Sequence, residues 1–384
     1  MTLNLLNLPE HILRKILNFL NSDDLLDLSR VSKMLFRACM HYIAPIAKRM
    51  IEESKNSTLN KLFGNIGYIT NACKSLNACK SLDASGETIP TLNITRVNIQ
   101  RLPTDIPSDT RIIIRHITDH SSLTWAKNKI IYTIPQSIFK LKDLTILHIS
   151  YTGIEIIPPE ISSLSNLTVL SLAWSKIAVI PSEISKLTKL KNLNLSHNKI
   201  KIIPHEIGYL KDLEILILEM NEIGKIPAEI KWLTKLSTLN LNSNKIETIP
   251  VELTQLKNLS TLQLGFNQIE NIEQIMQLEK LTHLYLNDNN IDVIPNDISK
   301  LELQCLQLNK NKIVNIPIGI WNLINLSTLD LSHNKITIIP PGINKLLKVN
   351  YLNFRYNKIA CVPLEIMTIP SSTTLNIDNG FYFY

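Results

Sequence analysis

A chain of 384 residues, 45% of them hydrophobic, can bury a large core but exceeds the size of a single compact globule. Its 10 glycines leave little material for a phosphate-cradling loop, and its 5 cysteines (Cys39, Cys73, Cys79, Cys305, Cys361) are odd in number and scattered, which argues against a disulfide framework and for a reducing compartment. The formal net charge of +7 raises nucleic-acid binding, but Lys186, Lys189, Lys199, Lys201 and Lys245 fall at turn and convex positions of the pattern below, so nucleic acid is not an expected partner.

The first residues are leucine-rich, but Pro9, Glu10, His11, Arg14 and Lys15 break the run before a signal-peptide core forms. No stretch reaches the ~18 apolar residues of a membrane span. The expectation is an intracellular, cytoplasmic chain without membrane contact. Leu8, Pro9, Ile12, Ile16, Leu17 and Leu20 then have helical spacing, and the break at 21–24 ends in a capping Asp24. Leu25, Leu28 and Val31 begin a second short helix, with Phe36 and Arg37 beyond it.

Leu8-Pro9, Asp24-Leu25 and Val31-Ser32-Lys33, in that register, resemble the F-box, although Phe36 stands where the family often has Trp. The resemblance implies that residues 1–45 dock the Skp-type adaptor of a cullin ubiquitin ligase through Leu8, Pro9, Ile12, Ile16, Leu17, Leu20, Leu25, Leu28, Val31 and Phe36. A unit of about forty residues is near the lower limit for folding alone, so apolar residues on several of its faces call for a partner. The plainer reading is a helical cap for the repeats that follow.

Residues 46–88 read as a helical linker or N-terminal cap. The hexapeptide at 71–76 repeats at 77–82, and its Cys73 and Cys79 have no His or further Cys to complete a zinc site. From residue 89 to 384 a different grammar holds. Asn198, Asn221, Asn244, Asn267, Asn289, Asn311, Asn334 and Asn357 recur at intervals of 22 or 23 residues inside copies of L-x-x-L-x-L-x-x-N-x-I-x-x-I-P, and Gly380 falls on the ninth place. Such a period marks one supersecondary unit stacked many times.

With Leu190 as position one, Leu193, Leu195, Asn198, Ile200, Ile203 and Pro204 complete the motif. The central Leu-x-Leu alternates with period two, which predicts a short strand with its leucines inward. The Asn carries both a donor and an acceptor, and so can bond backbone in its own turn and the next. Ile-Pro predicts an extended return instead of a full helix, because Pro fixes φ and lacks an N–H.

Three departures stand out. Thr152 and Ser175 replace the Asn in the first regular repeats, Glu273 occupies the expected proline place, and the repeats from Leu259 and Leu281 are each one residue short on the return.

The repeats resemble the leucine-rich repeat family, specifically its 23-residue intracellular Ile-Pro class, which implies a horseshoe with a parallel concave sheet. The expected fold is therefore an α/β leucine-rich repeat solenoid preceded by a small all-α F-box. Outward residues of the strands and of the position before the Asn include Trp174, Ile217, Met220, Phe266 and Tyr285, which have no inward role; they are the expected substrate-binding residues.

Neither G-x-S-x-G nor H-E-x-x-H occurs. The chain also lacks the Cys-x-Asp of bacterial repeat-bearing ubiquitin ligases, since Cys305 precedes Leu-Gln and Cys361 precedes Val-Pro. A non-enzymatic substrate-recruiting adaptor without a cofactor or metal is expected, its partners being the Skp-type adaptor, a cullin and an unnamed protein substrate. The alternative is a cytosolic repeat scaffold or signalling regulator without ubiquitin function.

Overall fold

The structure is a computed structural model that describes residues 132–384 and, before them, the strands Ser81–Leu82, Thr88–Ile89, Thr91–Ile94 and Arg111–Arg115. The chain divides into two compact units, Met1–Thr95 and Arg96–Tyr384. The expected F-box lies outside the described residues. In the first unit Ser81–Leu82 pairs antiparallel with Thr88–Ile89, so the described end of the segment expected to be helical is extended.

In the second unit the Leu-x-Leu motifs become three-residue strands such as Asn192–Asn194, Ile215–Ile217 and Thr238–Asn240, all parallel and paired in sequence order as far as Thr374–Asn376. Register follows the repeat: Leu193 pairs with Leu216, and Leu216 with Leu239. These leucines have no exposed surface, as the alternation requires when one face of a strand is covered. Each Ile-Pro then ends the extended segment. Pro204, at φ −70° and ψ 152°, caps the 3-10 helix His205–Tyr209, and the same arrangement precedes Ser182–Lys186, Ala228–Trp232 and Val251–Gln255. The inward Ile207 and Leu210 close the coil onto the leucines of the strand, both fully buried.

The ladder asparagines bond as their chemistry predicts but in the other direction along the stack. Asn198 Nδ2 donates to Leu195 O (3.0 Å) and Ser196 O (3.1 Å) in its own turn, and to Leu172 O (3.0 Å) in the preceding repeat. Its Oδ1 accepts the Ile177 N–H at 2.9 Å, also one repeat back. The pattern recurs through Asn357, which reaches Leu331 O at 2.9 Å. Where hydroxyls replace the amide, Thr152 Oγ1 and Ser175 Oγ bond each other at 2.7 Å, so the ladder opens on a hydroxyl pair.

The short repeat from Leu259 has lost the proline itself. Ile272 caps Glu273–Gln277 directly, at φ −123° and ψ 12°, and Asn271 Oδ1 accepts the Glu273 N–H at 2.8 Å where proline would have held the turn. The strands opposite keep their register, with Thr261 against His283 and His283 against Cys305.

Candidate interaction surface

The concave face is built from two strand columns. One runs through His148, Ser171, Asn194, Ile217, Asn240, Gln263, Tyr285, Gln307, Asp330 and Asn353, which the alternation places outward. The other lies two residues earlier and includes Ile146, Val169, Ile215, His283, Cys305 and Tyr351, all half-buried and in register. None of these residues is among the outward ones expected from the sequence. The column has the same parity as Ile217 and Tyr285, which is the signal in the sequence that marks it as outward. Ile215 and Ile217 thus stand on one strand as neighbouring apolar groups of the open face.

Tyr285, on the strand His283–Tyr285, stands next to Cys305 of the adjoining strand Cys305–Gln307. Burial pushes both groups above their ordinary pKa, so both are neutral near pH 7. Asn240, although the alternation places it outward, is buried: its Nδ2 donates to Glu219 Oε2 at 3.0 Å and its Oδ1 accepts the Asn242 N–H at 3.0 Å. A polar network links these strands, and Asn242 extends it with a 3.1 Å bond to Gln263. Gln307 makes no such bond.

Trp174, Met220 and Phe266 are not strand residues. They belong to a column, from Tyr151 to Tyr356, that sits just past each strand in the left-handed backbone region, with φ between 51° and 59° at every member. For a residue with a Cβ this region costs about 1–2 kcal/mol. Bonds from one turn to the next hold it there: Trp174 N–H donates to Ser196 O (3.0 Å), His197 N–H to Glu219 O (2.8 Å) and Phe266 N–H to Asn287 O (2.8 Å).

The sequence did carry a sign of this. The column reads Tyr, Trp, His, Met, Ser, Phe, Asp, Lys, His, Tyr, with no β-branched residue in a chain rich in Ile. Ser243→Val is accordingly expected to lower stability by about 1–2 kcal/mol, while Ser243→Gly leaves it unchanged or slightly raised. Urea denaturation midpoints of the two variants check this, and equal losses would mean that the backbone sign is irrelevant.

Pinned in this way, the side chains form a rim beside the sheet. Trp174, 46% exposed, stacks on Tyr151 with centroids 5.1 Å apart and on His197 at 3.5 Å. Burial against that stack lowers the His197 pKa, opposed by the Glu219 carboxylate, so the imidazole is neutral near pH 7. His333 and Tyr356 form a second stack at 4.1 Å, and Phe266, 52% exposed, lies 5.9 Å below the Lys310 ammonium. Lys186, Lys189, Lys199, Lys201 and Lys245 are exposed away from these strands and the rim; Lys245 pairs with Glu222 at 2.9 Å and Lys189 bonds Asn166 at 2.7 Å. Among the described residues no His, Cys, Asp and Glu cluster fit to hold a metal is present, and no helix is long and apolar enough to cross a membrane.

A family model for the F-box domain matches residues 5–41, one for a leucine-rich repeat region matches 177–284, and one for the single leucine-rich repeat matches 280–301 and 325–346. The chain combines an F-box with leucine-rich repeats. Among solved structures, the array of this F-box and repeat protein is similar to the leucine-rich repeat protein LIC12759 of Leptospira interrogans, at 34% identity and a TM-score of 0.63 over 66% of this chain and 64% of that one.

The Arabidopsis receptor kinase HAESA, solved with the peptide hormone IDA and the co-receptor SERK1, is 28% identical over 65% of this chain and 44% of its own, with a TM-score of 0.57. An internalin of Listeria monocytogenes, InlF, shares the fold at 22% identity, a TM-score of 0.57, and coverage of 76% and 87%. The chain thus spans less than two thirds of LIC12759 and less than half of HAESA. No curated protein sequence matches it.

Proposed function

We propose that this protein is the substrate-recognition subunit of a Skp, cullin, F-box type ubiquitin ligase, the F-box docking the Skp-type adaptor and the repeats holding a protein for ubiquitination. The observation that carries the reading is the F-box match on the same chain as a repeat array whose concave face and rim are open. An F-box accounts for recruitment to a ligase, and the repeats account for choice of cargo. HAESA, whose array has the same fold, was solved holding a peptide hormone, in keeping with a protein segment as the ligand.

Contact with the cargo is assigned to Trp174, Met220 and Phe266 on the rim and to Ile217 and Tyr285 on the sheet. Exposed aromatic and apolar groups in a setting with few charges supply most of the affinity of protein interfaces. The chain itself is a binder and not a catalyst in this scheme.

Two measurements test the two halves. A folded chain should co-purify with a Skp-type adaptor and, through it, a cullin; no binding would return the protein to the cytosolic scaffolds. The triple change Trp174→Ala, Phe266→Ala and Tyr285→Ala should cut substrate capture at least about tenfold, since each lost hot spot is worth about 1 kcal/mol or more. Adaptor binding should be untouched. Capture that survives this change but fails on Lys186→Glu with Lys189→Glu would place the site on the convex face.

A further inference from the structure

The convex side of the array loses its regularity over two successive repeats. First the proline before Glu273–Gln277 is missing. Then Leu301, after Asn296–Lys300, is extended at ψ 154°, whereas Leu210 and Leu233 in the equivalent place lie at ψ 64° and 58°. The strands opposite are unbroken, so the shortening acts on the convex side alone. It leaves a cleft of about 900 Å³ there, lined by residues that include Lys257, Met276, Gln277, Glu279, Asn296 and Lys300.

A second irregularity in the array is handled differently. Where Pro340, Pro341 and Gly342 cut the 3-10 helix to Ile343–Lys345, the fully buried Trp321 fills the space. Its Nε1–H donates to Pro340 O at 3.1 Å, and a Cβ on Gly342, which has φ +104°, would lie 3.2 Å from its ring. Trp321 is the fourth residue of Ile318–Asn322, and Met276 is the fourth residue of Glu273–Gln277. Met276 is buried too, but its narrower side chain only lines the cleft where the Trp321 ring fills the corresponding space.

A solenoid bends by changing the spacing of its repeats on the side away from the hydrogen-bonded sheet, and close packing on that side is what resists the change. We propose that the cleft is a hinge: the array flexes between the repeats that begin at Leu259 and Leu303, and the repeats on either side move as stiff bodies. Phe266 and Tyr285 stand on the concave side of this joint, so flexing alters their spacing from the Tyr151, Trp174 and His197 stack. The hinge is independent of the ubiquitin reading.

The test is a pair of distance distributions from electron-spin resonance on the full chain, with labels carried on an unnatural ketone amino acid so that the native cysteines are retained. Val251 and Ile318, both exposed, begin 3-10 helices three repeats apart and span the cleft; Ser182 and Val251 span three regular repeats. The first distribution should be about twice as broad as the second. Met276→Trp, or a proline inserted between Ile272 and Glu273, should narrow it to the width of the control. Equal widths in the parent chain overturn the proposal, as does a folded variant of either kind that leaves the width unchanged.

Discussion

Asn244→Ala is expected to destabilise the array by about 1–3 kcal/mol. Its amide donates to Leu218 O (3.0 Å), Leu241 O (3.1 Å) and Asn242 O (3.2 Å), and its Oδ1 accepts the Ile223 N–H at 3.0 Å. Alanine leaves the buried Ile223 N–H without a partner, at about 1–3 kcal/mol, whereas Leu218 O, Leu241 O and Asn242 O keep bonds from Asn221, Asn267 and the Met220 N–H. Asn240, which its outward parity recommends as the harmless comparison, is unsuitable because it is buried and bonds Glu219. Gln307, half-buried on the same column and with no hydrogen bond from its side chain, serves better. Gln307→Ala should stay within about 0.5 kcal/mol of the parent chain. Chemical denaturation of both variants decides the matter, and coincident midpoints would refute the structural role of the ladder.

The other large effect is expected at the adaptor contact. If Leu8 and Ile16 dock the adaptor as proposed, Leu8→Asp combined with Ile16→Asp would place two carboxylates in an apolar, desolvated contact, at a cost of several kcal/mol if they find no partner. Since about 1.4 kcal/mol is a factor of ten, affinity for a Skp-type adaptor should fall at least about a hundredfold. The array should melt as before, because its core consists of the leucine and isoleucine columns between Ile134 and Ile366. If the double variant still co-purifies with the adaptor in parent stoichiometry, residues 5–41 match an F-box in sequence but do not act as one.

The solenoid, its strands and its inward residues could be read directly from the amino-acid sequence. In a stack each coil meets only its neighbours, so a period of 22 or 23 residues, a Leu-x-Leu alternation and an Ile-Pro break specify nearly all of the packing locally. The F-box was legible for another reason: its motif is short and linear, and the matched residues 5–41 carry it without reference to anything distant.

Only the tertiary structure decided the rest. An asparagine side chain can bond forward or backward with equal ease, and the stagger of the coils chose backward, as Asn198 does to Leu172 and Ile177. The absence of β-branched residues from the column of Trp174, Met220 and Phe266 only permits a positive φ; bonding between successive turns imposes it, and that lifts their side chains from the sheet onto its rim. Parity placed Asn240 outward correctly, yet its burial depends on Glu219 and Asn242, which meet it only once the strands are paired. The cleft beside Met276 likewise follows from where a missing proline is absorbed. Such features are set by how one coil rests on the next, and a period along the chain carries the coil but not the contact.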